Sequence, residues 1–192
     1  MGHKGFLIPC GQCVGCRAKR TREWTIRIMH EAQLHPENSF ITLTYDNEHL
    51  PNPPQLIKKH FQDFIRSLRK RNPNKKIRYY HCGEYGEKLG RPHYHSIIFN
   101  HSFSDKKILN GHKDLYTSKQ LDATWQRGYA SIGMVTPESA AYVANYIQKK
   151  ILGKNAFRHY KTDDGEPIQS EYSTMSLKPG IAHDWYQQYK SD

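Results

Sequence analysis

Hydrophobic positions along the chain recur with two periods, and each marks a different kind of element. Across residues 17–34, Trp24, Ile28, Met29 and Ala32 form a modest apolar stripe on a basic stretch, which predicts a helix ended by Pro36. Residues 39–45, SFITLTY, are β-branched and aromatic and predict a strand. After a loop at 51–54, Ile57, Phe61, Phe64, Ile65 and Leu68 return at helical spacing, while Lys58, Lys59, Arg66, Arg69 and Lys70 fall elsewhere, so the next element is an amphipathic helix. Residues 77–82 and 94–99 read as strands, and the turn-like residues 83–92 between them make an antiparallel hairpin the simplest connection. A short helix at 118–125 and a strand at 129–135 follow. Thr136, Pro137 and Glu138 then supply an N-cap, a first-turn proline and an early acid, opening a helix that runs to about residue 152, where Gly153 stops it.

This order predicts an α+β fold: a central, mainly antiparallel sheet with flanking helices. The expected organisation is one principal domain over residues 1–152, including a cysteine-rich start, and a C-terminal extension at 153–192 whose breakers leave it unplaced.

Charge narrows the function. The 29 Lys and Arg against 18 Asp and Glu give a net charge of +11 in 192 residues, which points to a polyanionic partner, with nucleic acid first. No apolar run reaches transmembrane length, the opening residues MGHKGFLIPCGQC do not resemble a secretory signal, and Gly2 lacks the Ser or Thr that myristoylation requires, so no membrane partner is expected. Four cysteines without a signal suit a reducing cytoplasm. No phosphate-cradling G-x-x-x-x-G-K-[ST] is present, so any helicase activity must come from another protein.

Two constellations carry candidate chemistry. In PHYHSIIF, strand alternation puts His93 and His95 on one face and Tyr94 on the other, and Glu84 lies across the hairpin. Two imidazoles and one carboxylate leave coordination positions open for a phosphate oxygen and water, as a catalytic cation site requires. The same alternation equally fits histidines that decorate a strand surface in a chain with 12 of them. On the last helix, Tyr142 and Tyr146 lie one turn apart on a face shared with Lys149 and Lys150, away from the stripe of Ala140, Val143, Ala144, Ile147 and Ile151. Core aromatics belong in that stripe; surface tyrosines suit either chemistry or base stacking.

In order along the chain, PCGQCVGC with Arg17, FITLTY, GEYG, RPHYH, YVANYIQKK and KPGIAHDW together resemble the HUH endonucleases, specifically the rolling-circle replication initiators of gokushovirus-type microviruses. The resemblance implies a ferredoxin-like or RNA-recognition-motif-like sheet. It implies Glu84, His93 and His95 as ligands of Mg²⁺ or Mn²⁺, Tyr142 and Tyr146 as the paired nucleophiles, and Lys149 as the lysine three residues after a catalytic tyrosine. The implied setting is single-stranded DNA at a replication origin in the cytoplasm of a bacterial host, with host polymerase and helicase as partners. The chain is short for such an initiator.

Cys10, Cys13 and Cys16 form C-x2-C-x2-C, which can offer three thiolates to a structural metal, Zn²⁺ by preference, with Cys82 or a nearby His as the fourth ligand. An iron–sulfur cluster or a metal-free turn fits the same spacing. Arg17, Lys19, Arg20 and Arg22 would then start a basic helix suited to DNA phosphates. The rival functions are a non-catalytic single-strand-binding module and an HUH transposase or relaxase relative.

Overall fold

The structure, a computed structural model, describes residues 8–86, 90–151, 154–162 and 164–191, without the side chains of residues 146–149, 154, 155 and 157. Its elements are α1 (Val14–Gln33), β1 (Asn38–Tyr45), α2 (Lys58–Arg71), β2 (Arg78–Tyr85), β3 (Pro92–Phe99), β4 (Lys107–Ile108), β5 (Tyr116–Thr117), α3 (Lys119–Trp125), β6 (Gly128–Gly133), α4 (Pro137–Lys149), α5 (Lys154–His159), β7 (Tyr172–Met175) and α6 (His183–Tyr189). The strands form one sheet in the order β4-β5-β6-β1-β3-β2-β7, with every described pairing antiparallel. The expected α+β fold is borne out. Within it, β1-α2-β2-β3-α3-β6 has the β-α-β-β-α-β order of ferredoxin-like folds, with central strand order β6-β1-β3-β2.

The sheet buries both faces because its strands alternate two apolar sets. On one face Ile41, Leu43, Tyr45, Tyr94 and Ile98 pack against Phe61, Phe64, Ile65 and Leu68 of α2 and Leu121 and Trp125 of α3. On the other, Phe40, Tyr80, Ile97 and Phe99 meet Ile28 and Ala32 of α1 and Ala140, Val143 and Ala144 of α4. The amphipathic patterns of α1 and α2, and of α4 at Ala140, Val143 and Ala144, are thus resolved by burial of the predicted stripe, with the side chain of Ile147 outside the described residues. The capping box at Thr136 and Ser139 sets the start of α4 as its sequence requires.

Three differences from the sequence reading matter. β2 continues past residue 82 to Tyr85 because β3 pairs with it there, Glu84 opposite His93 and Tyr85 opposite Pro92, so Glu84 lies within a strand rather than in the turn. The hairpin connection is correspondingly tighter, with Gly86 N–H donating to the Arg91 carbonyl at 2.9 Å. The stretch beyond residue 152, unplaced from sequence, supplies edge strand β7, and Ile181 enters the core beneath α1. The junction at Ile181 is polar: Glu31 of α1, 2% exposed, accepts from Arg78 Nε and from Ala182 N–H at 2.7 Å, while Arg78 also donates to the Pro179 and Gly180 carbonyls. The KPGIA segment is therefore clamped to α1 and β2 by one buried ion pair.

Candidate active site on the α1/α4 face

Antiparallel register sets residues of neighbouring strands side by side on one face of the sheet. One cross-sheet row reads Glu84 (β2), His93 (β3), Thr44 (β1) and Tyr129 (β6); the next reads Cys82, His95, Thr42 and Ser131. A third, Tyr80, Ile97, Phe40 and Gly133, is the row on which α4 packs. Glu84, His93 and His95 therefore share a face with each other and with α4, while Tyr94 points into the opposite core, as alternation predicted.

His95, 4% exposed, is held from both sides. Its Nε2 lies 2.8 Å from Glu84 Oε1 and its Nδ1 lies 3.0 Å from Thr42 Oγ1. The Tyr142 ring stands edge-on to it, with centroids 5.0 Å apart, and Phe40 lies at 6.0 Å from His95 and 6.1 Å from Tyr142. Tyr142 is 44% exposed, whereas Ala140, Val143 and Ala144 are buried, so its departure from the apolar stripe is real. His93 follows at 6.3 Å, ring to ring with His95. Its Nδ1 is buried with no hydrogen-bond partner among the described residues, and burial lowers its pKa below the usual imidazole value. Gly86 keeps the other nitrogen open: a Cβ there would come within 3.2 Å of His93 Nε2. The GEYG motif thus carries a ligand candidate and the glycine that leaves room beside the histidine.

These donors are of the types a divalent cation takes, although the ring nitrogens of His93 do not converge with the Glu84–His95 pair to within 4.8 Å. The set combines a hard carboxylate with two imidazoles, and one ring nitrogen is buried without a partner, a state that otherwise costs about 1–3 kcal/mol. Glu84 and His95 are already in contact. The backbone of Tyr146 and Lys149 lies on α4 one and nearly two turns beyond Tyr142; their side chains, and hence those sequence readings, lie outside the described residues. Thr42 and Phe40 were missed from sequence, since only the β1–β3 register brings them to the site.

The cysteines divide. Cys10, Cys13 and Cys16 hold their sulfurs within 4.8 Å of one another at the start of α1, the only such group of three or more His, Cys, Asp or Glu ligands among the described residues. Cys13 N–H donates to Cys10 Sγ at 3.3 Å, and Cys13 caps α1 by accepting from Cys16 N–H at 3.5 Å. Backbone N–H groups of Cys13 and Gln12, followed by the neighbouring thiols, bring the Cys10 thiol down to about 7. Three thiols so arranged could hold a metal ion. Cys82 does not join them: it is fully buried with Ile97 and Tyr80 in the core under α1 and α4, and burial, then the Glu84 charge, push its thiol pKa well up. Lys19, Arg20 and Arg22 are exposed on α1 and Arg17 is half-buried. Thr21 and Arg22 line a groove with Ala141 and Asn145 of α4, so the basic helix borders the tyrosine helix. Lys150 is half-buried just past the α4 terminus.

The family model for the replication-associated protein ORF2/G2P matches residues 38–151, from the first residue of β1 to just past α4. The chain belongs to this family. As an ORF2/G2P-type chain it is 36% identical over 194 aligned residues to the replication-associated protein VP4 of Bdellovibrio phage phiMH2K, covering 96% of this chain and 59% of that protein. It is 39% identical over 155 residues to the replication-associated protein ORF2 of Spiroplasma virus 4, covering 75% of this chain and 48% of that one. It is 35% identical over 190 residues to the replication-associated protein ORF4 of Chlamydia phage 1, covering 90% and 47%. The chain therefore spans about half the length of the curated relatives it matches. No solved structure matches it. The resemblance to phage replication initiators read from the motifs is borne out, and the matched ORF2/G2P segment contains Glu84, His93, His95 and the whole of α4.

Proposed function

We propose that this chain nicks and rejoins single-stranded DNA at a phage replication origin through a 5′-phosphotyrosine intermediate. The observation that carries the reading is the contact of Tyr142 with His95 while His95 bonds Glu84, which brings a tyrosine-bearing helix onto a carboxylate–imidazole cluster. The phenolic oxygen of Tyr146 attacks the scissile phosphorus, the bond from phosphorus to the 3′ oxygen breaks, and the phenolic proton leaves as the 3′ oxygen gains one. The 3′-hydroxyl primes a host polymerase, with strand separation left to a host helicase. Because the phosphodiester is exchanged rather than hydrolysed, rejoining is the same step reversed and needs no ATP.

Glu84, His93 and His95 would hold Mg²⁺ or Mn²⁺, which supplies Lewis-acid polarisation of the non-bridging phosphate oxygens. Thr42 orients His95, and Phe40 supports the Tyr142 ring. Tyr142 serves as the second nucleophile, since an enzyme already tied to one 5′ end needs another to release a closed circle, and positions one helical turn apart can serve one phosphate. Lys149 offsets charge developing on the phosphate. Arg17, Lys19, Arg20, Arg22 and Lys150 contact DNA phosphates, and the three cysteines hold Zn²⁺ that braces the start of α1. No helix of the described residues is long and apolar enough to cross a membrane, and we assign the activity to the cytoplasm of the bacterial host.

The test incubates the chain with Mn²⁺ and labelled single strands tiled across the DNA that encodes it. A denaturation-resistant adduct is expected, lost in Tyr146→Phe on substrates that permit one cut, with strand transfer lost in Tyr142→Phe. Replacing His93 and His95 together by Ala should abolish cleavage while leaving much of the DNA affinity. Absence of any adduct, or cleavage undiminished in that double variant, ends the reading.

A further inference from the structure

Tyr129 is the most exposed tyrosine among the described residues, at 72%, yet it is not on a loop. It sits in β6, opposite Thr44, which in turn lies opposite His93 and then Glu84. At ~4.8 Å per strand, its Cα is about 10 Å from that of His93 along the row and on the same face. Thr44 between them is half-buried, so the row continues from the candidate active site as an open strip of sheet that ends in an aromatic ring.

The backbone beneath this ring is fixed. Gly128 has φ +133°, and a Cβ there would fall 2.2 Å from Asp46 N and 2.6 Å from the Thr44 carbonyl oxygen, so β6 begins pressed against the end of β1. Asp46 N–H donates to the Arg127 carbonyl at 3.1 Å, and Trp125 Nε1 donates to the Thr44 carbonyl at 3.2 Å. A large ring held in water on a pinned strand gains nothing for folding, whereas a pre-positioned aromatic surface binds a nucleobase at little entropic cost. We propose that Tyr129 is a base-stacking platform for the single strand that runs across the sheet from the cleavage site, and that it recognises the base face without sequence readout. The assignment of DNA as the strand rests on the function proposed above; the stacking itself does not require cleavage.

The experiment is equilibrium binding by fluorescence anisotropy, in EDTA, of oligothymidylate of about 12 nucleotides, a length within the range of known single-strand sites. Its comparison probe is the same sugar-phosphate chain without bases. Tyr129→Ala should weaken oligothymidylate binding about tenfold, the effect of losing one stacked base, and leave the base-free probe unaffected. Tyr129→Phe should bind like the unaltered chain, and the salt slope should be the same in all three, because no charge is lost. Equal affinity of Tyr129→Ala and the unaltered chain for oligothymidylate, or equal losses on both probes, would overturn the proposal. A chain that stacks through Tyr129 but forms no adduct would instead overturn the cleavage reading alone.

Discussion

Thr42 offers a direct test of the proposed cation site. His95 Nε2 lies 2.8 Å from Glu84 Oε1 and Nδ1 lies 3.0 Å from the Thr42 hydroxyl; a neutral ring that donates from Nε2 to the carboxylate accepts from Thr42 at Nδ1. For His95 to present its Nε2 lone pair to a cation, the ring proton must sit on Nδ1, where it donates to the same hydroxyl. A hydroxyl can serve as donor or acceptor, so Thr42 satisfies both tautomers. Thr42→Val preserves the branched shape that β1 favours and removes both roles. With His95 4% exposed, water cannot easily replace the lost partner. The orphaned nitrogen should cost about 1–3 kcal/mol. Loss of a partner that orients a histidine ligand should lower cation affinity about 10- to 100-fold. Titration with Mn²⁺ followed by electron paramagnetic resonance measures the affinity directly, and Thr42→Ser should restore most of it. If Thr42→Val folds normally and binds Mn²⁺ as the unaltered chain does, His95 is not a ligand oriented through Thr42.

Other outcomes follow from the same geometry. Gly128→Ala should destabilise the chain by about 3 kcal/mol or more, because the added carbon meets backbone on β1 and the backbone is unsuited to an L side chain; a change under about 1 kcal/mol by urea titration would contradict the close approach. Elemental analysis of reduced protein should find about one Zn²⁺, and replacing Cys10 and Cys13 by Ser should remove it and loosen the start of α1 before α4 is affected; a metal-free native protein would refute this. Stability should fall as pH drops below about 6.5. Burial depresses the pKa of His81, His60 and His101, so the unfolded chain binds protons that the folded chain resists. The stabilisation is present above the unfolded value and lost on acidification, and thermal melts between about pH 7.5 and 5 should show it; an unchanged or rising Tm would refute the sign.

What could be read in advance depended on whether a feature was periodic or relational. α2 and α4 and strands β1 to β3 were legible because each repeats its apolar residues often enough to reveal a face. β4 and β5, at two residues each, and β7, at four, are too short to establish a period, and they exist because a neighbouring strand offers an unpaired edge. At the site, the His93–His95 pair follows from alternation alone, and Glu84 from the hairpin. Thr42, Phe40 and Tyr129 do not, because their places depend on the registers of β1 with β3 and β6, and a register is a property of two strands rather than one. The misplaced cysteine teaches the complementary lesson. Cys82 was grouped with the N-terminal thiols by residue type, although it stands two residues before Glu84 and so shares its face. If Glu84 serves a site beneath α4, Cys82 is carried under the same helix, among Tyr80 and Ile97, where a thiol is a small hydrophobe. The alternation that joins His93 to His95 therefore also excludes Cys82 from the surface cluster, and carried through β2 it separates the two sites on sequence alone.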